Sequence, residues 1–357
     1  MKKKLLIFST SQFGYLIDSY KYAQYSRPYF DITYLCWDYS RPKLTLDNVN
    51  VRYVSRQGNL IARNLRLLYA LYKEINRDSY LVFANYTPGI SIIKLLCFKR
   101  RILIDVRTLS VNPRKLVRLF SDIILKCELL FFNHISVVSR EVASKLILKD
   151  YYLIPLGGES FCDQEKSFER LHLLYVGTLQ GRRILDCVKG FHNYLKRLEH
   201  SVKAKTFLTI IGDSPDGEQE EIKQYVNANG LEINVKTEGY VRNENLGSFF
   251  EKANVGVSYI PLTNYFDGQP PTKTYEYLLS GLPVIATRTK ANQKIVNDYS
   301  GVLVDDDVDS FQQGIVALAA NSLRFQSDKI RSHYSDSLWK SIVDEIFSPK
   351  VSSLGRK

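Results

Sequence analysis

The chain has 357 residues, 45% of them apolar, and a formal net charge of +12. That length exceeds one ordinary hydrophobic core and fits two domains of roughly 150–180 residues each. No stretch approaches the roughly 20 consecutive apolar residues of a membrane span, because Lys126 and Glu128 interrupt the longest candidate, 123–132.

The basic start "MKKK" leads only into Leu5–Phe8, shorter than the roughly 7–15 apolar residues of a signal peptide, so it reads as a first strand. "DITYLC", "NVRYVS", "YLVFAN", "RILIDV", "HISVVS" and "YYLIPL" continue the series, with amphipathic helices such as 60–76 between them. Short β-branched strands alternating with helices predict a parallel sheet covered on both faces. "PLGGE", residues 155–159, breaks the alternation and opens a polar linker to Arg170.

A second series follows: "LHLLYVG", "KTFLTIIGD", "INVKTEGY", "NVGVSYIP", "LPVIAT" and "GVLV". The predicted organisation is α/β, with two Rossmann-like domains over 1–160 and 161–335. Residues 336–357 are expected to form a helix crossing back to the first domain, with Leu338, Ile342 and Ile346 on one stripe. Parallel α/β sheets bind ligands at the carboxyl ends of their strands, so two lobes facing across a cleft suit one substrate each.

Residues 1–165 hold 25 Lys and Arg against 14 Asp and Glu, whereas the remainder holds 24 against 23. The excess suits an anionic membrane surface, a polyanion or a phosphorylated acceptor, and it equally suits solubility alone. In "RKLVRLFSDIILKCELLFF" the basic Arg114, Lys115, Arg118 and Lys126 stand beside Leu116, Leu119, Phe120 and Ile123. This reads either as a helix lying on an anionic membrane or as a buried helix with a solvated edge. The five cysteines are scattered without C-x-x-C spacing, so neither a disulfide framework nor a zinc site is expected, and a reducing cytoplasm fits.

The strand-end loops of the second series carry the candidate chemistry. In "YVGTLQGRR", Gly177 and Thr178 precede Arg182 and Arg183 at a helix entry near Ile184, where amides and guanidinium forks suit a diphosphate. Gly212 with Asp213, and Gly239 with Tyr240, end two further strands where main chain or an aromatic face can meet a nucleoside. In "QPPTKTYEYLLSGLPVIAT" a helix is predicted to start with Thr272 or a neighbour as N-cap and to end at Gly281 and Pro283. Lys273 and Glu276 share its first turn, either as ligands for phosphate and ribose or as a surface ion pair. Asp305, Asp306, Asp307 and Asp309 precede the helix 310–320 and read as caps, not metal ligands.

In this order and at these separations, "YVGTLQGRR", "IIGDSPDG", "TEGYVRNENLGSFFEKANVGVSYIP", "TKTYEYLLSGLPVIAT" and "GVLVDDDVDSF" resemble the retaining nucleotide-sugar glycosyltransferases of the GT-B fold, family four (glycosyl transferases group 1). The resemblance implies that Glu276, as the second glutamate of an E-x₇-E motif, binds the donor ribose. The first glutamate position is Gly268, with Asp267, Gln269 or the amides after Pro271 as substitutes. Arg183 stands at the loop's lysine position, implying diphosphate neutralisation with Arg182 or Lys273 assisting, and Thr178 stands at the loop's arginine. In the first domain "STSQFGYLIDSY" resembles the glycine-bearing loop after the first strand, placing Gly14 over the sugar diphosphate. "RILIDVRTLS" resembles a segment that places Asp105 and Arg107 in the cleft, where a strand-end ion pair is the alternative.

The expected activity is retaining transfer of a sugar, UDP-linked in preference to GDP-linked, to a glycan or polyprenyl-diphosphate-linked acceptor, in surface polysaccharide biosynthesis. No metal or other cofactor is expected. The protein would be cytoplasmic or peripheral on the inner face of the plasma membrane. A nucleotide-sugar 2-epimerase shares the twin-lobed architecture and needs no acceptor. A non-catalytic, polyanion-binding protein is the third reading; nucleic acid suits it poorly, because Lys and Arg are spread over several elements without interleaved aromatic residues.

Overall fold

The apolar runs form strands and the amphipathic segments form helices throughout the computed structural model, which describes residues 2–78, 80–110, 114–214, 216–263, 266–267 and 271–355. Two units result: Met1–Leu156 together with Trp339–Lys357, and Gly157–Leu338.

The first unit runs β1 (Lys3–Ser9), α1 (Ile17–Ser26), β2 (Phe30–Asp38), β3 (Val49–Ser55), α2 (Leu60–Arg77), β4 (Tyr80–Asn85), α3 (Ile90–Leu96), β5 (Ile102–Val106), α4 (Lys115–Leu129), β6 (His134–Val137), α5 (Arg140–Leu146) and β7 (Tyr152–Leu153). Its seven strands pair in parallel in the order β3-β2-β1-β4-β5-β6-β7. Side chains alternate across a strand, so Leu6 and Phe8 of β1 enter one core with α2–α5, while Leu5 and Ile7 enter the other with α1.

The second unit runs β8 (Leu171–Val176), α6 (Ile184–Leu195), α7 (His200–Lys203), β9 (Thr206–Ile211), α8 (Glu218–Ala228), β10 (Val235–Gly239), α9 (Gly247–Lys252), β11 (Val255–Ser258), α10 (Thr272–Leu279), β12 (Val284–Thr287), α11 (Lys290–Ile295), β13 (Gly301–Val304), α12 (Val308–Ala320) and α13 (Ser327–Tyr334). Its parallel sheet has the order β10-β9-β8-β11-β12-β13. The order reverses between β8 and β11, where ligands of open α/β sheets bind.

The final segment differs from the single helix expected. It is α14 (Trp339–Ile342), a π-helical stretch Val343–Phe347 and α15 (Ser348–Ser353). The wider π turn rotates the apolar face, so Trp339, Ile342, Val343, Phe347 and Val351 are buried in the α1-side core, and Leu338 packs in the second unit instead. Aromatic contacts anchor it: Phe347 stacks on Tyr22 at 4.3 Å between centroids, and Trp339 meets the same ring edge-on at 5.9 Å.

One histidine gives the second unit a pH signature. His172 in β8 has Nε2 2.8 Å from Thr209 Oγ1, and burial, with Arg170 and Lys252 nearby, pushes its pKa down to about 4. A depressed folded-state pKa contributes stability that is complete above the unfolded value of about 6.5 and is lost as pH falls towards the folded one. Urea unfolding at pH 7 and pH 5 is expected to show a larger loss for wild type than for His172→Gln; equal losses would contradict this.

Candidate active site

The carboxyl edge of the second sheet is built from glycines that let main chain touch main chain. The Gly177 amide donates to Ile211 O at 3.0 Å, Leu179 N to Asp213 O at 3.1 Å and Gly212 N to Gly239 O at 2.8 Å. Gly212 has φ +149°, and a Cβ there would lie 1.8 Å from Gly177 O, so no other residue fits. These bonds bring Gly177, Gly212 and Gly239 of three strand ends together. Thr178 is exposed, its carbonyl accepting from Tyr175 Oη at 2.7 Å, and Tyr240 is exposed beyond Gly239.

Ile184 N, at the start of α6, donates at 2.5 Å to Glu218 from the first turn of α8, so an internal carboxylate occupies the helix end where a diphosphate was expected. Burial pushes the Glu218 carboxyl above its ordinary pKa. Arg183, the expected neutralising cation, has its guanidinium 2.7 Å from Asp186 and 3.2 Å from Asp306. Asp306 also accepts from Leu262 N at 3.0 Å, fastening the β13 loop to the β11 loop. Arg182 differs: its guanidinium lies 4.1 Å from the Phe266 ring centroid, and Nη1 is buried without a hydrogen-bond partner among the described residues.

At α10 the cap position falls on Pro271, which offers no side-chain acceptor, with Thr272 as the first helical residue. Among the described residues the first-turn amides therefore have no side-chain cap, unlike those of α6. Lys273 pairs with Glu276, which is 2% exposed. The helix is pinned to the end of β8 by Tyr277, whose Oη accepts from Val176 N at 2.7 Å. Gly256 in β11 makes room for that ring, since a Cβ would lie 2.3 Å from it. Gly158 likewise packs on the main-chain nitrogen of Glu276, its absent Cβ 3.0 Å away.

Asp267, expected as one substitute for the first glutamate, serves α11 instead: it accepts from Lys290 N at 2.8 Å and pairs with the Lys290 ammonium at 2.9 Å. Gly268 and Gln269 lie outside the described residues. Asp307 caps α12 by accepting from Ser310 N at 2.8 Å. Ser214 Oγ on the β9 loop and Tyr259 Oη just past β11 are, like Arg182 Nη1, buried without hydrogen-bond partners among the described residues. Buried polar atoms are rarely left unpaired, and these three lie on neighbouring strand-end loops. A cavity of about 560 Å³ lined by Lys166, Arg170, Lys205 and Asn254 opens at the opposite, amino edge, where no strand-end loop reaches it.

In the first unit Gly14 has φ +88° and a Cβ there would lie 2.3 Å from Leu44 Cδ1. Gln12 clasps this loop to the one after β2, accepting from Tyr39 N at 2.8 Å and donating to Arg41 O at 2.8 Å. Asp105 and Arg107 form the strand-end ion pair, with Arg107 Nε 2.6 Å from Asp105 and 3.4 Å from Asp18. Arg107 also donates to Ile154 O at 3.1 Å and to Tyr22 Oη. Asp105 is 1% exposed and accepts from Ser136 Oγ at 2.7 Å; burial raises its pKa, with Arg107 opposing. Arg107 is thus held as a strut between β5, α1 and the end of β7, and its donors face protein groups, the ion-pair alternative that the sequence offered. Gln12, Tyr277 and Glu218 were missed from sequence. Only Glu218 left a signal, the acidic start "GEQEE", and that signal did not disclose its partner.

Comparisons with known proteins agree with this geometry. Residues 170–321 match the family described as glycosyl transferases group 1. No curated protein matches the chain. Among solved structures, a sucrose-phosphate synthase from Thermosynechococcus elongatus superposes with TM-score 0.74 at 14% identity, covering 100% of both chains. Anabaena HepE in complex with UDP and glucose gives 0.72 at 12% identity, covering 98% of this chain and 100% of its own. A trehalose 6-phosphate synthase from Burkholderia multivorans gives 0.67 at 11%, covering 99% of each. The two Rossmann-like units are those of the GT-B fold.

Proposed function

We propose that this chain, a glycosyltransferase of group 1 with the GT-B fold, moves a sugar from a nucleotide-diphosphate donor, UDP-linked in preference to GDP-linked, to a glycan or lipid-linked acceptor hydroxyl with retention of configuration. The observation that carries the reading is the carboxyl edge of the second unit, where α10 carries Lys273 and Glu276, and atoms of Arg182, Ser214 and Tyr259 have no hydrogen-bond partner among the described residues. The solved HepE complexes contain UDP, glucose or UDP-glucose, which supports a UDP donor here.

In this reading the diphosphate lies at the first turn of α10, where amide dipoles and Lys273 favour negative charge, and Arg182 supplies a fork. Glu276 accepts from the ribose hydroxyls. The bond from the anomeric carbon to the diphosphate breaks while the acceptor oxygen closes on that carbon, and the positive groups stabilise the charge gathering on the leaving diphosphate. The residues named need no metal for this. Glu276 binds and is not a nucleophile.

Glu276→Ala is expected to lower kcat/KM about ten- to a hundredfold, the loss of charged hydrogen bonds of about 1.5–3 kcal/mol. Arg182→Ala should fall comparably, and Arg183→Ala by less, because that arginine is already paired. Wild-type transfer by Glu276→Ala and by both arginine variants would remove the assignment.

A lipid-linked acceptor in surface polysaccharide synthesis, met at the cytoplasmic face of an anionic membrane, is supported by α4. Leu116 is 80% exposed and Leu119, Phe120 and Ile123 are exposed beside it. Its carboxylates turn inward instead: Asp122 accepts from Ser110 N, and Glu128 from Gly89 N and Ser91 N. An apolar face flanked by Arg114, Lys115 and Arg118 suits anionic lipid. No helix among the described residues is long and apolar enough to cross a membrane. Flotation at low salt should carry the protein with vesicles containing phosphatidylglycerol and lose it with Phe120→Asp; protein left in the soluble fraction would reject the membrane part alone.

A further inference from the structure

The carboxyl edge of β2 and β3 in the first unit holds a group of cations and rings that the transfer reading does not use. Trp37 lies at the end of β2, Tyr39 just beyond it, Arg56 just beyond β3 and Arg63 on the first turn of α2. The Arg56 guanidinium sits 4.3 Å from the Tyr39 ring centroid and 5.7 Å from that of Trp37, and the Arg63 guanidinium is also 5.7 Å from Trp37. The sequence shows no interleaving of aromatic and basic residues because these four side chains come from three separate elements; the fold produces it.

These cations lack counter-charges. Neither Arg56 nor Arg63 has an ion pair with a carboxylate among the described residues, and the nearby Asp38 is taken by Lys43 at 3.2 Å and by Ser40 N at 2.8 Å. The first turn of α2 contains no acidic residue, so Arg63 stands where the helix dipole disfavours a cation. Two guanidiniums against one indole repel each other as well. The Nε atoms of Arg52, Arg56 and Arg63 and Nε1 of Trp37 are all buried without hydrogen-bond partners among the described residues. Trp37, 7% exposed, is the floor beneath the two guanidiniums. The forks of Arg56 and Arg63, without a carboxylate partner among the described residues, match an oxyanion carried on a sugar: the forks take the oxygens, and the half-buried Tyr39 borders the pyranose. The Gly14 loop is clasped to this edge by Gln12, so the cluster adjoins the loop expected to meet substrate.

We propose that Trp37, Tyr39, Arg56 and Arg63 bind a phosphate or carboxylate group on the acceptor glycan. The proposal names the acceptor class within the transfer reading and rests on that reading for the word acceptor; the binding itself is measured without donor.

The full chain has two tryptophans; Trp339 lies in the α1-side core against Tyr22, whereas Trp37 touches both arginines, so a fluorescence change on binding reports the Trp37 site. Titration with glucose 6-phosphate and with glucuronate is expected to change that fluorescence saturably, and whichever binds more tightly identifies the phosphate or the carboxylate as the source. Glucose should bind at least tenfold more weakly than the tighter of the two. Arg56→Gln and Arg63→Gln should each weaken it at least tenfold while leaving the melting temperature unchanged or higher, because repulsion is relieved, and leaving UDP binding unchanged. Glucose binding as well as the anions, inorganic phosphate binding as well as glucose 6-phosphate, or tight binding of single-stranded polynucleotide at physiological salt would each overturn the proposal. So would a lowered melting temperature with unaltered titrations, which would make the arginines structural. Loss of transfer in Glu276→Ala with these titrations intact separates this site from the donor reading.

Discussion

The carboxyl edge of the second sheet, proposed to hold the donor, depends on one buried hydrogen bond, from the amide of Val176 to the phenol oxygen of Tyr277. The amide ends β8 and the phenol belongs to the first helical turns of α10, so the bond fixes the start of that helix against the strand end at which the sheet order reverses. It exists only because Gly256 leaves space for the ring. Everything proposed for Lys273, Glu276 and the uncapped amides of α10 follows from that anchorage. A helix end free to drift would lose the preorganisation that favours a developing anion.

Two helix ends on the same edge show how placement decides function. Both α6 and α10 follow strands of one parallel sheet, and both looked equally able to hold a diphosphate from their sequences. Glu218 fills the amide end of α6, and Arg183 is drawn between Asp186 and Asp306, so Arg182 is left as the cation of that corner. At α10 the cap residue is a proline. A lysine follows two residues later and pairs with Glu276, so the helix dipole stays unopposed by a cap carboxylate from Pro271. The first unit shows the same contrast: Arg107 is consumed by Asp105, Asp18, Tyr22 and Ile154, whereas Arg56 and Arg63 lean on aromatic rings without a carboxylate.

Much of this could be read from sequence because periodicity is local. Every strand of the second sheet was visible as a short apolar run, and Gly177, Gly212 and Gly239 were visible at their ends. Pairings between distant residues were not. The reach of Glu218 to Ile184, of Asp267 to Lys290 and of Tyr277 to Val176 depends on strand order, which composition does not encode. In the C-terminal segment the π turn shifts the helical phase: Ile342 and Ile346 pack on the first unit's core as the 3.6-residue stripe places them, but Phe347, the ring that stacks on Tyr22, falls outside that stripe. The cluster around Trp37 was invisible because its four side chains belong to three elements.

The central claim is that the donor lies on the carboxyl edge of the second sheet, and hydrogen–deuterium exchange with and without a UDP-sugar tests it directly. The account predicts slower exchange in 177–183, 212–217, 239–242 and 271–279 on addition of ligand, with 165–170 and 251–254 at the amino edge unchanged. Protection confined to the amino edge, or absent from 271–279, would contradict it.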